Sequence, residues 1–268
     1  MFEVTRSGYF AWAAREPSDR QQANQVLDQK IVSIFDAHKH RYGVRRIHDE
    51  LKDQGENCGK HRVFRRMRCL GLQAKAKKKY KVTTDSKHHL PVAENLLARD
   101  FTATGINQKW VGDITYIHTE EGWLYVATVV DLHSRAVIGW SMQSTMTAEL
   151  ISDALLMALW RRGFPKGVIF HSDRGSQYCS VKYQKLLKTY RFICSMSRKG
   201  NCWDNAVAES FFHTLKTELV YSEKYLTREA AKQSIFQYIE CYYNRVRRHS
   251  SNGSMAPLVF ENQMRKLG

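Results

Sequence analysis

The spacing of apolar positions changes character partway along the chain. Over residues 29–72 it is helical. Ile31, Ile34 and Phe35 recur on one side of QKIVSIFDAHKHRYG, Val44, Ile47 and Leu51 on one side of VRRIHDELKDQG, and Val63, Phe64, Met67 and Leu70 on one side of HRVFRRMRCLGL. Tyr42-Gly43 breaks the first run, Gly55 stops the second, and ENCGK turns into the third. Three short helices joined by tight turns predict an all-α helix-turn-helix module over residues 29–74. Residues 1–28 are polar and mixed and predict an arm with one short helix. Residues 75–104 are polar, basic and aperiodic, and predict a linker.

From residue 105 the pattern is that of strands. KWVGDITYI (109–117), WLYVATVVD (123–131) and RAVIGWSM (135–142) are rich in Val, Ile, Tyr and Trp, with a tight turn at His133-Ser134. A helix follows in MTAELISDALLMALWRRG (146–163), with Leu150, Ala154, Met157 and Trp160 among its inner positions. Then come a short buried strand GVIFHSD (167–173), a helix near 177–190, a strand RFICSM (191–196) and a long helix beginning near Trp203. Three adjacent strands followed by alternating helices and strands predict an α/β domain over 105–265, a mixed sheet covered by helices, ending in a helical tail.

Charge sharpens this picture. The 268 residues carry 42 Lys and Arg against 26 Asp and Glu, a formal charge of +16. A chain this basic is expected to meet a polyanion, nucleic acid before others. From Lys60 to Lys81 there are ten basic residues and no acidic one: Lys60, Arg62, Arg65, Arg66, Arg68, Lys75, Lys77, Lys78, Lys79 and Lys81. A helix with one apolar and one basic face suits DNA contact, so Arg62, Arg65, Arg66 and Arg68 are candidate DNA-binding residues. Lys77, Lys78 and Lys79 are candidates to lie along a phosphate backbone. The six cysteines form no CxxC pair and read as thiols of a reducing compartment. No apolar run of membrane-spanning length and no signal-peptide pattern is visible, so the cytoplasm is the expected location.

Candidate chemistry lies in three carboxylates. Asp113 interrupts an otherwise apolar strand, where a charge is costly unless it is paired or binds metal. Asp173 ends another strand, a usual place for sites in open sheets. Glu209 lies on the helix of NCWDNAVAESFFHTLKTEL, whose apolar face is Ala208, Phe211, Phe212, Leu215 and Leu219. Asn205, Glu209, His213 and Lys216 form a second stripe on that helix. Taken singly, each acid is as well read as a turn cap or a surface residue. Together they suit two Mg²⁺ or Mn²⁺ ions, hard cations that take carboxylate oxygens. Two such ions can activate the attacking oxygen and stabilise the leaving oxygen of an in-line displacement. Asp131 is a spare candidate ligand or a turn cap, and Asn205 could orient Glu209 from one turn away. Arg245, Arg247 and Arg248, with Tyr242 and Tyr243, could grip DNA or form a solvated helix end.

WVGDITYI, HSDRGSQY and GNCWDNAVAESFFHTLKTEL occur in order, with 59 residues between Asp113 and Asp173 and 35 between Asp173 and Glu209. In these words and spacings the chain resembles the DDE transposases of the IS-three family of bacterial insertion sequences, in particular their second-reading-frame product. RSGYFAW, YGVRRIHDEL, RVFRRMRCLGL and YYNRVRRHSSNGSMAP extend the resemblance over nearly the whole chain, with departures in the tail at Asn252 and Ser254. The resemblance implies a ribonuclease-H-like core shared with retroviral integrases. It implies that Asp113, Asp173 and Glu209 are catalytic and bind the metals, and that Lys216 stands near the terminal DNA. It also implies cleavage at the element's ends followed by strand transfer, through a single-strand bridged product that becomes a circle. The implied partners are element-end and target DNA, further copies of the chain on that DNA, and an upstream-frame protein or fusion that supplies a leucine zipper. The loop Arg198-Lys199-Gly200-Asn201 precedes the catalytic helix and is a candidate gate, which makes Lys199 a further candidate DNA contact. Two other functions fit parts of this pattern: a non-catalytic DNA-binding regulator derived from a transposase, and a structure-specific nuclease of the same fold.

Overall fold

The computed structural model describes residues 5–75, 90–198 and 202–267. The chain divides into two units, residues 1–76 and 77–268. Lys77, Lys78, Lys79 and Lys199 lie outside the described residues.

In the first unit, α1 (Arg6–Ala13) buries none of its residues. Helix α2 (Asp19–Ala37) starts well before its first apolar position because Ser18 and Gln21 form a capping box, the Ser18 amide donating to Gln21 Oε1 at 2.8 Å. It buries Leu27, Ile31, Ile34 and Phe35. Helices α3 (Val44–Asp53) and α4 (Lys60–Cys69) bury Ile47 with Leu51 and Val63 with Met67. Phe64, expected on the inner face of α4, is 50% exposed. Val63 and Met67 stand four residues apart and define the seam, and Phe64 is rotated about 100° from Val63. Gly55, at φ +83°, makes the turn between α3 and α4 in a conformation that side chains resist.

The second unit is built on one five-stranded sheet. Its strands are β1 (Lys109–Thr119), β2 (Gly122–Asp131), β3 (Val137–Gln143), β4 (Ile169–Ser172) and β5 (Ile193–Met196), in the order β3-β2-β1-β4-β5. The β1–β2 and β2–β3 pairs are antiparallel, while β1–β4 and β4–β5 are parallel. This is the mixed sheet that the strand and helix pattern predicts. The two-residue period distributes side chains to two cores. Val111, Val126 and Val130 pack on one face with α7 (Ala206–Glu218) and α8 (Arg228–Phe236). Trp110, Ala127 and Val129 pack on the other with α5 (Ala148–Arg162) and α6 (Val181–Thr189). Residues from Glu94 onward run against this sheet: the Leu96 and Leu97 amides donate to Ser195 Oγ at 3.0 and 3.3 Å, and Leu97 is buried.

Helix α5 buries Leu150, Ile151, Ala154, Leu155, Ala158 and Leu159, whereas Trp160, expected inside, is 74% exposed. The small residues select the face. A Cβ at Gly139 would stand 2.1 Å from the Ala154 carbonyl oxygen and 2.9 Å from Ala158 Cβ, so strand and helix meet there backbone to backbone.

The basic tail also differs from expectation. Arg247 is buried and forms an ion pair with Glu218 at 2.7 Å, and Glu218 also accepts from Tyr238 Oη at 2.8 Å. Arg245 and Arg248 donate to the carbonyl oxygens of Glu240 and Ser254. Asn252, also buried, donates to the Ser134 carbonyl at 2.6 Å. In α9 (Pro257–Leu267), Glu261 takes a buried ion pair from Arg162 at 2.5 Å. Among the described residues, no helix is long and apolar enough to cross a membrane.

Gly139→Ala is expected to lower unfolding free energy by about 1–3 kcal/mol through overpacking, read as a lower urea midpoint with unchanged slope. Glu218→Gln is expected to cost about 3–5 kcal/mol by leaving the buried Arg247 without its counter-charge.

Candidate active site

Strand register brings the two aspartates together. Trp110 pairs with Phe170 and Val111 with His171 across the parallel β1–β4 ladder. Two residues further on, Asp113, inside β1, comes level with Asp173, the residue that follows the last position of β4. Gly112 permits the approach: a Cβ there would stand 2.6 Å from the Phe170 ring. The Asp113 carboxylate accepts from the Ile114 amide at 2.8 Å, and Asp173 accepts from the Gly175 amide at 2.9 Å, a local turn that fixes its direction.

Glu209 lies in the first turn of α7, on the solvent side, while Ala208, Phe211, Phe212 and Leu215 hold the helix to the core. Burial, then the Asp173 charge, then that of Glu209, holds the Asp113 carboxyl well above its usual range. Burial and Asp173 likewise raise the carboxyl of Glu209. The three groups therefore share one electrostatic site. Among the described residues, no group of three or more His, Cys, Asp and Glu side chains is already gathered tightly enough to hold a metal ion. The donor set nevertheless fits a hard divalent cation. Its oxygens are carboxylates, and its mutual repulsion is what a double positive charge relieves.

Lys216 is buried rather than displayed on an open stripe, with Nζ 5.0 Å from the centre of the Tyr116 ring. Burial lowers its pKa and the Asp113 charge opposes that shift. Asn205 is buried too, and its side-chain amide donates to the Gly112 carbonyl at 3.4 Å, next to Asp113. Asp131 caps a turn, accepting from the amides of Asn107 and His133 and from the Trp110 indole. His171 bridges Ser195 and Ser197 at 2.8 and 3.1 Å, and burial pushes it down to about 4, so it is neutral.

Asp204, which received no role from the sequence, proves central. It sits in the 3-10 turn Cys202–Asn205 that leads into α7, and its side chain is fully buried. It accepts from Asn95 Nδ2 at 2.9 Å, from Arg99 Nε at 3.1 Å, and from the amide, Nε and Nη2 of Arg198, each at 2.9 Å. Arg198 is the largest cause holding its carboxyl far below the usual range. The one sequence signal was an acid directly before a helix start.

The candidate DNA-binding residues of α4 separate into two groups. Arg62 donates twice to Asn24 Oδ1, at 3.2 and 3.0 Å, and Arg66 forms a two-point ion pair with Asp28 at 2.7 and 2.5 Å. Arg65 and Arg68 are exposed.

Residues 21–80 match the model of an HTH-like domain, and residues 103–202 and 209–264 match models described as integrase core domain. The chain is 52% identical over 98% of its length, and 92% of the relative's, to the transposase InsF for insertion sequence IS3fB of Escherichia coli K12. It is 43% identical over its full length, and 98% of the relative's, to an uncharacterized 31 kDa protein of insertion element IS600 from Shigella sonnei. Among solved structures, a chain of the simian T-cell lymphotropic virus intasome in complex with PP2A regulatory subunit B56 gamma aligns with TM-score 0.51 at 16% identity. That alignment covers 76% of this chain and 67% of the other, and it shares the integrase-type, ribonuclease-H-like fold.

Asp204→Asn is expected to lower stability by about 3 kcal/mol, the low end for breaking a buried pair because both arginine side chains remain about half exposed. The check is a urea titration of the variant, and an unchanged midpoint contradicts the clamp.

Proposed function

From a chain that belongs to the IS3 family of insertion-sequence transposases, we propose a metal-dependent polynucleotidyl transferase that cleaves the ends of its element and joins them to other DNA. What supports this reading is the shared electrostatics of Asp113, Asp173 and Glu209 on an integrase-type sheet. The three carboxylates would hold two Mg²⁺ or Mn²⁺ ions, which supply activation of the attacking oxygen and stabilisation of the leaving oxygen in an in-line displacement. Asp113 and Asp173 are fixed by their strands and local amide bonds, so their spacing is set before substrate arrives. Glu209 approaches from the helix, held by Asp204 and Asn205. Water is the first nucleophile, and the freed 3′-hydroxyl is the second. No side chain needs to become covalently attached to DNA.

In the helical unit, Arg65 and Arg68 present exposed charge to phosphate, and Lys77, Lys78, Lys79, Lys199 and Lys216 are the further basic contacts of this reading. Arg62 and Arg66 reach DNA only by giving up Asn24 and Asp28, so their first role is to set the angle of α4 on α2. Joining two ends requires at least two copies on DNA, acting alone or with the product of an upstream frame. Cytoplasmic DNA is the expected substrate.

Strand transfer of labelled element-end DNA in Mg²⁺ tests the proposal. Asp113→Asn and Glu209→Gln are each expected to reduce joining by at least about a hundredfold while leaving DNA affinity within a few-fold, and chelation of the metal should do the same. Joining by either variant at the wild-type rate would falsify the assignment. Joining by none of the proteins, with DNA binding intact, would favour a non-catalytic binder or a missing upstream partner.

A further inference from the structure

Trp203 occupies an unusual position among the tryptophans of the chain. Trp110, Trp140, Trp123, Trp160 and Trp12 each meet another aromatic ring, with centroid separations from 4.8 to 6.1 Å. Trp203 is 68% exposed, and among the described residues no aromatic or cationic side chain packs on its ring. It also stands on a rigid mount. The next residue, Asp204, is fully buried under five donated hydrogen bonds, and the one after it, Asn205, is tied to the Gly112 carbonyl beside Asp113. The ring is thus carried on the turn that positions Glu209, six residues ahead of that carboxylate.

The surroundings define what would cover it. The side chains of Arg99 and Arg198, which grip Asp204, remain about half exposed at 48% and 55%. A flat apolar face on the residue before Asp204, and partly exposed cations bonded to Asp204 itself, match a nucleotide, the base on the ring and the phosphate against the guanidinium groups. A base inside a duplex already has stacking neighbours above and below. The ring therefore suits a base that has lost its partner.

We propose that Trp203 is the stacking platform for an unpaired base at the DNA end being processed, with Arg99 and Arg198 placed to contact its phosphate. This deepens the transposase reading and rests on it for the identity of the DNA. Stacking on the ring stabilises the frayed state of the end and presents the adjacent phosphodiester to the three carboxylates.

The test uses the full chain and element-end DNA carrying an unpaired terminal 2-aminopurine, without divalent metal so that no chemistry occurs. Wild type and Glu209→Gln are expected to quench the probe. Trp203→Ala should leave it bright and weaken binding of the frayed end about tenfold, and Trp203→Phe should restore most of both. A probe placed inside the duplex should respond equally to all four proteins. Quenching by Trp203→Ala equal to wild type overturns the proposal. So does a change of oligomeric mass in Trp203→Ala with quenching intact, which would mean that a second copy covers the ring. The two readings fail separately: Trp203-dependent quenching without joining in Mg²⁺ retains the platform and removes the chemistry, and joining with Trp203-independent quenching does the reverse.

Discussion

Like charges must be kept close where the central strand β1 passes the end of β4, and most of the second unit is organised around that requirement. Asp113 and Asp173 repel, and Glu209 adds to the repulsion. Such a group persists only where the backbone leaves it no alternative. Parallel pairing of β1 and β4 sets the separation of the two aspartates, and an adjacent amide occupies one oxygen of each. Packing on both faces keeps these strands from relaxing apart.

The helix that carries Glu209 has no hydrogen-bonded ladder to the sheet, so its placement relies on side chains. Phe211, Phe212 and Leu215 fix its distance from the sheet, but apolar contact alone leaves it free to slide along its axis. Asp204 and Asn205 supply the directional bonds that remove this freedom. The clamp joins nearby Arg198 to Asn95 and Arg99, which precede Asp204 by 109 and 105 residues, so one turn ties the start of the unit to its catalytic helix.

Much of this was legible before folding. The strands announced themselves through Val, Ile, Tyr and Trp bounded by turns, and the apolar face of α7 was read correctly at every position named. Errors arose where tertiary contact chose between faces that look alike in one dimension. Trp160 seemed internal by spacing, yet Gly139, Ala154 and Ala158 draw the opposite side of α5 onto the sheet. Phe64 failed for the same reason on α4. Arg247 looked like a solvated or DNA-facing cation because its partner, Glu218, is 29 residues away. Asp204 lay within a motif that was quoted whole, but its weight depends on donors that sequence proximity does not reveal.

The internal pairing of arginines changes what a formal charge of +16 means for this chain. Arg66, Arg162 and Arg247 are each matched to a carboxylate within the fold. These pairs already cancel locally and hold few loosely associated anions that an arriving polyanion could displace. Ion release on DNA binding therefore comes from a smaller set, the side chains left facing solvent. The steepness with which added salt weakens the complex counts that set, rather than the total written in the sequence.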